Sequence, residues 1–142
     1  MILYSNKLKY GMQTLLYMKR FKSNHVFSAT YISEQLQIPK EFISKILQIL
    51  AHKGILISKK GKGGGFSFAV DPQQIKLKTI FDSLGQTKEF EKCLFGGDVD
   101  SCSEEECMIC SLWTTFNKEM TYIINNHTLG NLCLRLETDF NN

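Results

Sequence analysis

Apolar residues recur at helical spacing in several stretches and alternate at strand spacing in two short ones. Leu8, Met12, Leu15 and Leu16 predict a helix from Ser5, its N-cap, to about Phe21, and leave Lys7, Lys9, Lys19 and Arg20 for solvent or the DNA backbone. Ser28 is a candidate cap for a second helix that carries Ile32 and Leu36. From Lys40 to His52 the residues sort cleanly: Ile43, Ile46, Leu47 and Leu50 fall at i, i+3, i+4 and i+7. Pro39 suits the first turn of this third helix and Gly54 its stop. After Gly54 the period shortens. Ile55 to Ser58 and Phe66 to Phe68 read as the arms of a hairpin, and Val70 to Gln73 as a turn. A strand remnant at Ile75 then leads into a short helix through Leu77, Ile80, Phe81 and Leu84, ended by Gly85. Further on, Ile109, Trp113, Phe116, Met120, Ile123 and Ile124 stripe a long helix, whose apolar side either packs back on its own domain or, the favoured reading, pairs with the same helix of a second chain. A last short helix is expected from Leu129 to Glu137, capped by Thr128, with Cys133 as a buried core residue.

The order of these elements predicts a mainly α fold with a small two-stranded wing: a winged helix-turn-helix followed by a long dimerisation helix. On the third helix Lys40, Glu41, Ser44, Lys45 and Gln48 occupy the polar side, where side chains reach base edges in a major groove. The hairpin tip, Lys59-Lys60-Gly61-Lys62-Gly63-Gly64-Gly65, sets three lysines among four glycines. Glycine lets the backbone come close to a phosphate chain, and lysine neutralises it. Lys59, Lys60, Lys62, Gly63 and Gly64 are therefore candidate DNA contacts. A nucleotide-binding loop is the rival for these glycines, but it requires a helix directly after the loop, and a strand follows here.

Charge sharpens this reading. The net charge of the 142 residues is only +3, but residues 1–62 hold eleven Lys or Arg against Glu34 and Glu41, while residues 63–142 hold six against twelve acids. The basic half is the half with the helix-turn-helix, as expected of a DNA-binding face. A hydrophobic fraction of 43% is enough for one compact core. The N-terminus turns polar too early for a signal peptide, and no apolar run reaches membrane-spanning length, so the expected location is cytoplasmic. His25, in the loop before Ser28, is expected to face solvent.

Four of the five cysteines, Cys93, Cys102, Cys107 and Cys110, lie within eighteen residues at the spacing C-x8-C-x4-C-x2-C. A reducing compartment disfavours structural disulfides, which leaves metal binding or thiol chemistry. Gly96 and Gly97 let the first arm fold back, and Cys107 and Cys110 sit where the long helix begins. Asp98, Asp100, Glu104, Glu105 and Glu106 lie between Cys93 and Cys107 with no Lys or Arg among them, so a cation would relieve mutual repulsion. Convergent thiolates suit Zn²⁺ or an iron–sulfur cluster, and the spacing does not separate the two. Cys107-Met108-Ile109-Cys110 is also open to a dithiol switch.

Together these residues resemble the IscR/NsrR/CymR group of bacterial winged helix-turn-helix regulators. The likeness runs from Tyr10–Tyr17 through Ile38-Pro39, Ile46-Leu47 and Gly54-Ile55-Leu56 to Gly63-Gly64-Gly65-Phe66, and on through the cysteine segment, Leu112-Trp113 and Thr128-Leu129. It implies a homodimer on a palindromic double-stranded DNA operator, with a 2Fe–2S or 4Fe–4S cluster on three cysteines matched by Cys93, Cys102 and Cys107. Where one branch has a histidine as fourth ligand this chain has Cys110, and where another recruits an aspartate it has Lys9. The wing arginine of the group is matched by Lys60, which keeps the charge but lacks the planar fork.

The resulting expectation is a dimeric, sequence-specific transcription regulator that senses iron–sulfur, redox or nitric oxide status. Residues 1–85 would form the DNA-binding domain, 86–110 the metal or cluster loop, and 111–142 the dimerisation and C-terminal helices. A zinc-stabilised or thiol-switch regulator is the alternative, and a dithiol oxidoreductase a more distant one. No Ser/His/Asp set or cofactor loop is present in the sequence, so no catalysis is expected and no membrane partner.

Overall fold

The computed structural model describes residues 5–22, 24–85, 92–93 and 107–132. Helix α1 spans Asn6–Lys19, and Ser5 caps it: its backbone is extended and its hydroxyl accepts the Leu8 N–H at 3.1 Å. Helix α2 spans Ala29–Leu36, and Ser28 accepts the Tyr31 N–H in the same way, again at 3.1 Å. Both caps satisfy a backbone donor that the helix itself cannot.

The turn between α2 and α3 runs from Gln37 to Pro39 and is held by side chains. Gln37 sits in the left-handed region at φ 55°, which terminates α2, and its Nε2 donates to the Glu34 carbonyl at 2.7 Å. Ser33 Oγ donates to the Ile38 carbonyl at 2.6 Å and fixes the far side of the turn. Helix α3 then spans Lys40–His52, the limits expected from its apolar stripe. Pro39 stands one position earlier than expected, as the N-cap with ψ 132°, and its carbonyl accepts from Phe42 and Ile43. Gly54 closes the helix at φ +78°, a conformation that costs glycine nothing, and Ile55 N–H returns to the Leu50 carbonyl at 3.0 Å.

Strands β1 (Leu56–Lys59) and β2 (Gly65–Phe68) pair antiparallel, Leu56 opposite Phe68 and Lys59 opposite Gly65. Phe27 adds a further rung, since its N–H and C=O both exchange with Phe66 at 2.8 Å. Gly65 permits that approach: it lies at φ +152°, and a Cβ there would run into the Phe27 carbonyl. The wing is thereby stitched to the segment that enters α2.

The core lies beneath these elements. Ile43, Leu47 and Leu50 of α3, Leu15 and Met18 of α1, Ile32 of α2 and Ile80 of α4 (Leu77–Ser83) are fully buried in one cluster. Each such side chain contributes roughly 1.5–3 kcal/mol by leaving water. A 3₁₀ turn at Pro72–Gln74, capped by Asp71, precedes α4, and Gly85 follows it at φ +73°.

Helix α5 spans Met108–Asn126. Its C-terminal end is fastened to the winged body: Leu77 N–H donates to the His127 carbonyl at 3.0 Å, and Leu129 N–H to the Ile75 carbonyl at 2.8 Å. Lys19, at the end of α1, donates to the carbonyls of Leu129, Gly130 and Leu132 at 3.2, 2.7 and 2.6 Å. The expected last helix begins differently. Leu129–Asn131 is a single 3₁₀ turn with Thr128 and Asn131 as a reciprocal cap, and Leu132 is extended. Those carbonyls point at Lys19 instead of continuing up a helix. Residues 133–142, Cys133 among them, lie outside the described residues.

Candidate nucleic-acid interface and cysteine site

Amphipathicity decides which way α3 faces. With Ile43, Ile46, Leu47 and Leu50 locked into the core, Lys40, Glu41, Lys45 and Gln48 are exposed on the opposite side and Ser44 is half-buried between them. All five sequence-predicted reading residues thus belong to one outward surface. Phe42, exposed beside them, was not foreseen; it packs edge-on against Tyr10 with ring centroids 5.5 Å apart. In the wing, Lys59, Lys60, Lys62 and Gly63 are exposed and Gly64 is half-buried. Gly61 and Gly63 take φ of +93° and +74°, and Gly64 N–H closes the tip on the Gly61 carbonyl at 3.0 Å. The tip is a tight turn that presents cations rather than a loose tether.

His25 is exposed as expected, but it is also part of an aromatic row. Its ring lies 5.4 Å from Phe21 and 4.4 Å from Phe27. Tyr17, within the same row, meets Tyr31 through a hydroxyl–hydroxyl hydrogen bond at 3.2 Å. Burial, and after it the Tyr31 hydrogen bond, pushes the Tyr17 phenol up from 10.0 to about 12. The bond joins α1 to α2 and so holds the first helix of the motif in place.

The cysteine residues are partly described. Cys107 is the N-cap of α5 without a capping side-chain bond, and Cys110 follows one turn later, 3% exposed. Successive turns of one helix place these two on neighbouring positions of the same surface. Cys93 is half-buried in a separate arm. A tie between that arm and α5 escaped the sequence reading: the Trp113 indole N–H donates to the Lys92 carbonyl at 2.7 Å. Trp113 is one turn beyond Cys110, so the residue next to Cys93 is held against the start of the same helix. All three thiols are free, and soft unpaired sulfurs are the donors that zinc or an iron–sulfur cluster takes. Among the described residues no three His, Cys, Asp or Glu side chains converge on one point. Cys102 and the acidic residues Asp98 to Glu106 lie outside the described residues.

The apolar stripe of α5 divides in two. Ile124 is buried and Met120 packs against the core, whereas Ile109, Phe116 and Ile123 remain exposed, together with Leu112 at 66%. Ile109, Leu112, Phe116 and Ile123 run along one side of the helix. No helix among the described residues is long and apolar enough to cross a membrane.

Comparison with known proteins agrees with this architecture. Residues 4–135 match the Rrf2 family, described as an iron-dependent transcriptional regulator. The HTH-type transcriptional regulator IscR of Vibrio cholerae is 24% identical over 130 residues, covering 92% of this chain and 74% of that protein. CymR, the global cysteine regulator of B. subtilis, superposes with a TM-score of 0.72 at 16% identity, covering 92% of this chain and 95% of that one. T. potens IscR superposes with a TM-score of 0.65 at 21% identity, covering 90% and 83%.

Proposed function

The chain belongs to the Rrf2 family of transcriptional regulators, and from that premise we propose that it acts as a homodimer on a palindromic operator and senses iron–sulfur, redox or nitric oxide status through its cysteines. Its relatives are DNA-binding regulators, not enzymes, and the chain is a regulator of that kind. In this reading residues 1–85 would bind DNA, 86–110 would hold the cofactor, and 111–142 would pair the subunits.

The observation that carries this reading is the build of α5. One end bears Cys107 and Cys110, the middle bears an uncovered apolar stripe, and the other end is fastened to the winged body. A stripe of that size is unfavourable in water and favours pairing with the same helix of a second copy. Pairing would set two α3 helices on half-sites about one DNA turn, near 34 Å, apart.

Cys93, Cys102, Cys107 and Cys110 would hold a 2Fe–2S or 4Fe–4S cluster, which when bound supplies a one-electron couple and a centre open to oxygen and nitric oxide. The chain's own residues do the rest. Trp113 fixes the backbone beside Cys93 to α5, so a change at the thiols bears on that helix. Lys19 and the backbone bonds at His127 and Leu129 pass any tilt of α5 to α1 and to the segment after the wing. A tilt that misplaces α3 loses base contacts worth about 1–3 kcal/mol each.

Visible absorption and metal analysis of anaerobically purified protein test the cofactor. Sulfide-to-iron charge-transfer bands with stoichiometric iron are expected; a colourless protein with stoichiometric zinc sinks the sensor reading and leaves a zinc-stabilised regulator. A thiol switch is favoured by the Cys107–Cys110 spacing. In that case a metal-free protein would lose two electrons and two protons from this pair to an oxidant, and its DNA affinity would change with them.

A further inference from the structure

Two backbone hydrogen bonds fasten the end of α5 to the winged body, and they flank a single residue pair. Leu77 N–H to the His127 carbonyl and Leu129 N–H to the Ile75 carbonyl close an isolated antiparallel bridge between Lys76 and Thr128. A bridge one residue wide acts as a hinge pin. It fixes where α5 leaves the body and leaves the angle about that line open. Ile124 and Met120 pack against the core beside it, but apolar contact has no direction of its own.

The third attachment comes from a different element. Lys19, the last residue of α1, is half-buried, and its Nζ donates to the carbonyls of Leu129, Gly130 and Leu132 at 3.2, 2.7 and 2.6 Å. An ammonium carries three N–H donors, and here three carbonyls take them, with no carboxylate partner among the described residues. The turn is closed from its other side as well, since a Cβ on Gly130 would run into the Gln73 side chain. Bonds from α1 and from residues 75–77 thus reach the chain after α5 from separate elements, and together they fix an angle that the bridge alone does not.

That angle has a length scale. A helix of 19 residues is about 28 Å long, so a swing of about 10° at the joint moves its far end by about 5 Å relative to the body. One base pair rises only about 3.4 Å. We infer that Lys19 is a positioning residue that sets half-site spacing: its ammonium locks the angle between the pairing helix and the winged body, so that the dimer accepts one separation of half-sites and rejects the neighbouring ones. This rests on the reading of the chain as a DNA-binding homodimer. Lys19 acts through α1, which packs against α3, and not through a contact of its own with DNA.

The test is a spacing series. A symmetric duplex is selected from a random pool with the wild-type protein, and affinity is measured on it and on versions with one base pair inserted or removed at the centre. Wild type, Lys19→Met and Ile32→Val are compared. Wild type should lose roughly ten- to a hundredfold on either altered spacing, the equivalent of one or two base contacts. Relative to its own affinity on the selected duplex, Lys19→Met should lose no more than about threefold. Ile32→Val, a truncation in the buried core of α2, should lower stability and keep the wild-type profile. A Lys19→Met profile as sharp as that of wild type, or an Ile32→Val profile as flat as that of Lys19→Met, overturns the assignment. Lys19→Arg, whose planar fork does not match three converging carbonyls, repeats the comparison should Lys19→Met not fold. A wild type that enriches only single half-sites sinks the dimer reading and the assignment with it, which is a different result from a sharp wild-type profile that Lys19→Met reproduces.

Discussion

Tyr17 links a proton to the packing of the helix-turn-helix. Its phenol is raised to about 12, above the ordinary 10.0 of an unfolded chain, so the folded state holds the proton more tightly. That contribution is complete below pH 10 and is lost as pH rises toward 12. Tyr17→Phe should cost about 0.5–1.5 kcal/mol at pH 8 through the missing Tyr31 bond, and the two proteins should converge in stability as pH approaches 12. Denaturant titrations at pH 8 and pH 11 check this; a gap that stays constant refutes it. Lys19 is the second residue with a defined cost. Lys19→Met removes a charged donor from three carbonyls and should destabilise by about 1–3 kcal/mol, with faster hydrogen exchange in the 129–132 turn. The Gly65 prediction is steric: Gly65→Ala drives a Cβ into the Phe27 carbonyl, so the Phe27–Phe66 rung should open while the helical content persists. Amide exchange at Phe27 and Phe66 reads it.

Among the elements, α3 was the most legible. Its apolar stripe is unbroken and every member is buried, so periodicity gave its outward side chains, and Pro39 and Gly54 marked its ends. The caps at Ser5 and Ser28 were legible for a local reason, a hydroxyl three residues before the amide it accepts. Helix α5 was legible as a helix but not as a surface. Its stripe was read as one patch, whereas the turn around Thr128 and its bonds to Ile75 and Leu77 rotate Ile124 and Met120 onto the core and leave Ile109, Phe116 and Ile123 in water. Long-range pairing decides that, and no local pattern contains it. The same holds at Leu129, where carbonyls drawn to a lysine 110 residues away in sequence replace a predicted helix start by a 3₁₀ turn. Leu112→Glu with Phe116→Glu should convert the proposed dimer to a monomer in sedimentation while circular dichroism stays unchanged, since both side chains are exposed within one subunit. A variant that sediments like the wild type removes α5 from the pairing surface.

Across the molecule, the uneven distribution of charge in the sequence turns into a directional surface. The basic segment supplies the outer side of α3 and the wing, whereas the acids gather in the second half of the chain. Lys60→Ala with Lys62→Ala should therefore weaken binding on all duplexes and flatten the salt dependence, while Ser44 or Gln48 changes should alter base preference.

Trp113 is the only tryptophan in the chain, and its indole N–H is bonded to the backbone next to Cys93. The molecule consequently carries its own optical reporter at the joint between thiol arm and helix. Its ultraviolet emission should be quenched by iron bound nearby and should move to longer wavelength if the Lys92 carbonyl lets go and water reaches the ring. Each state of the proposed sensor can then be followed in unlabelled protein, in real time, with light alone.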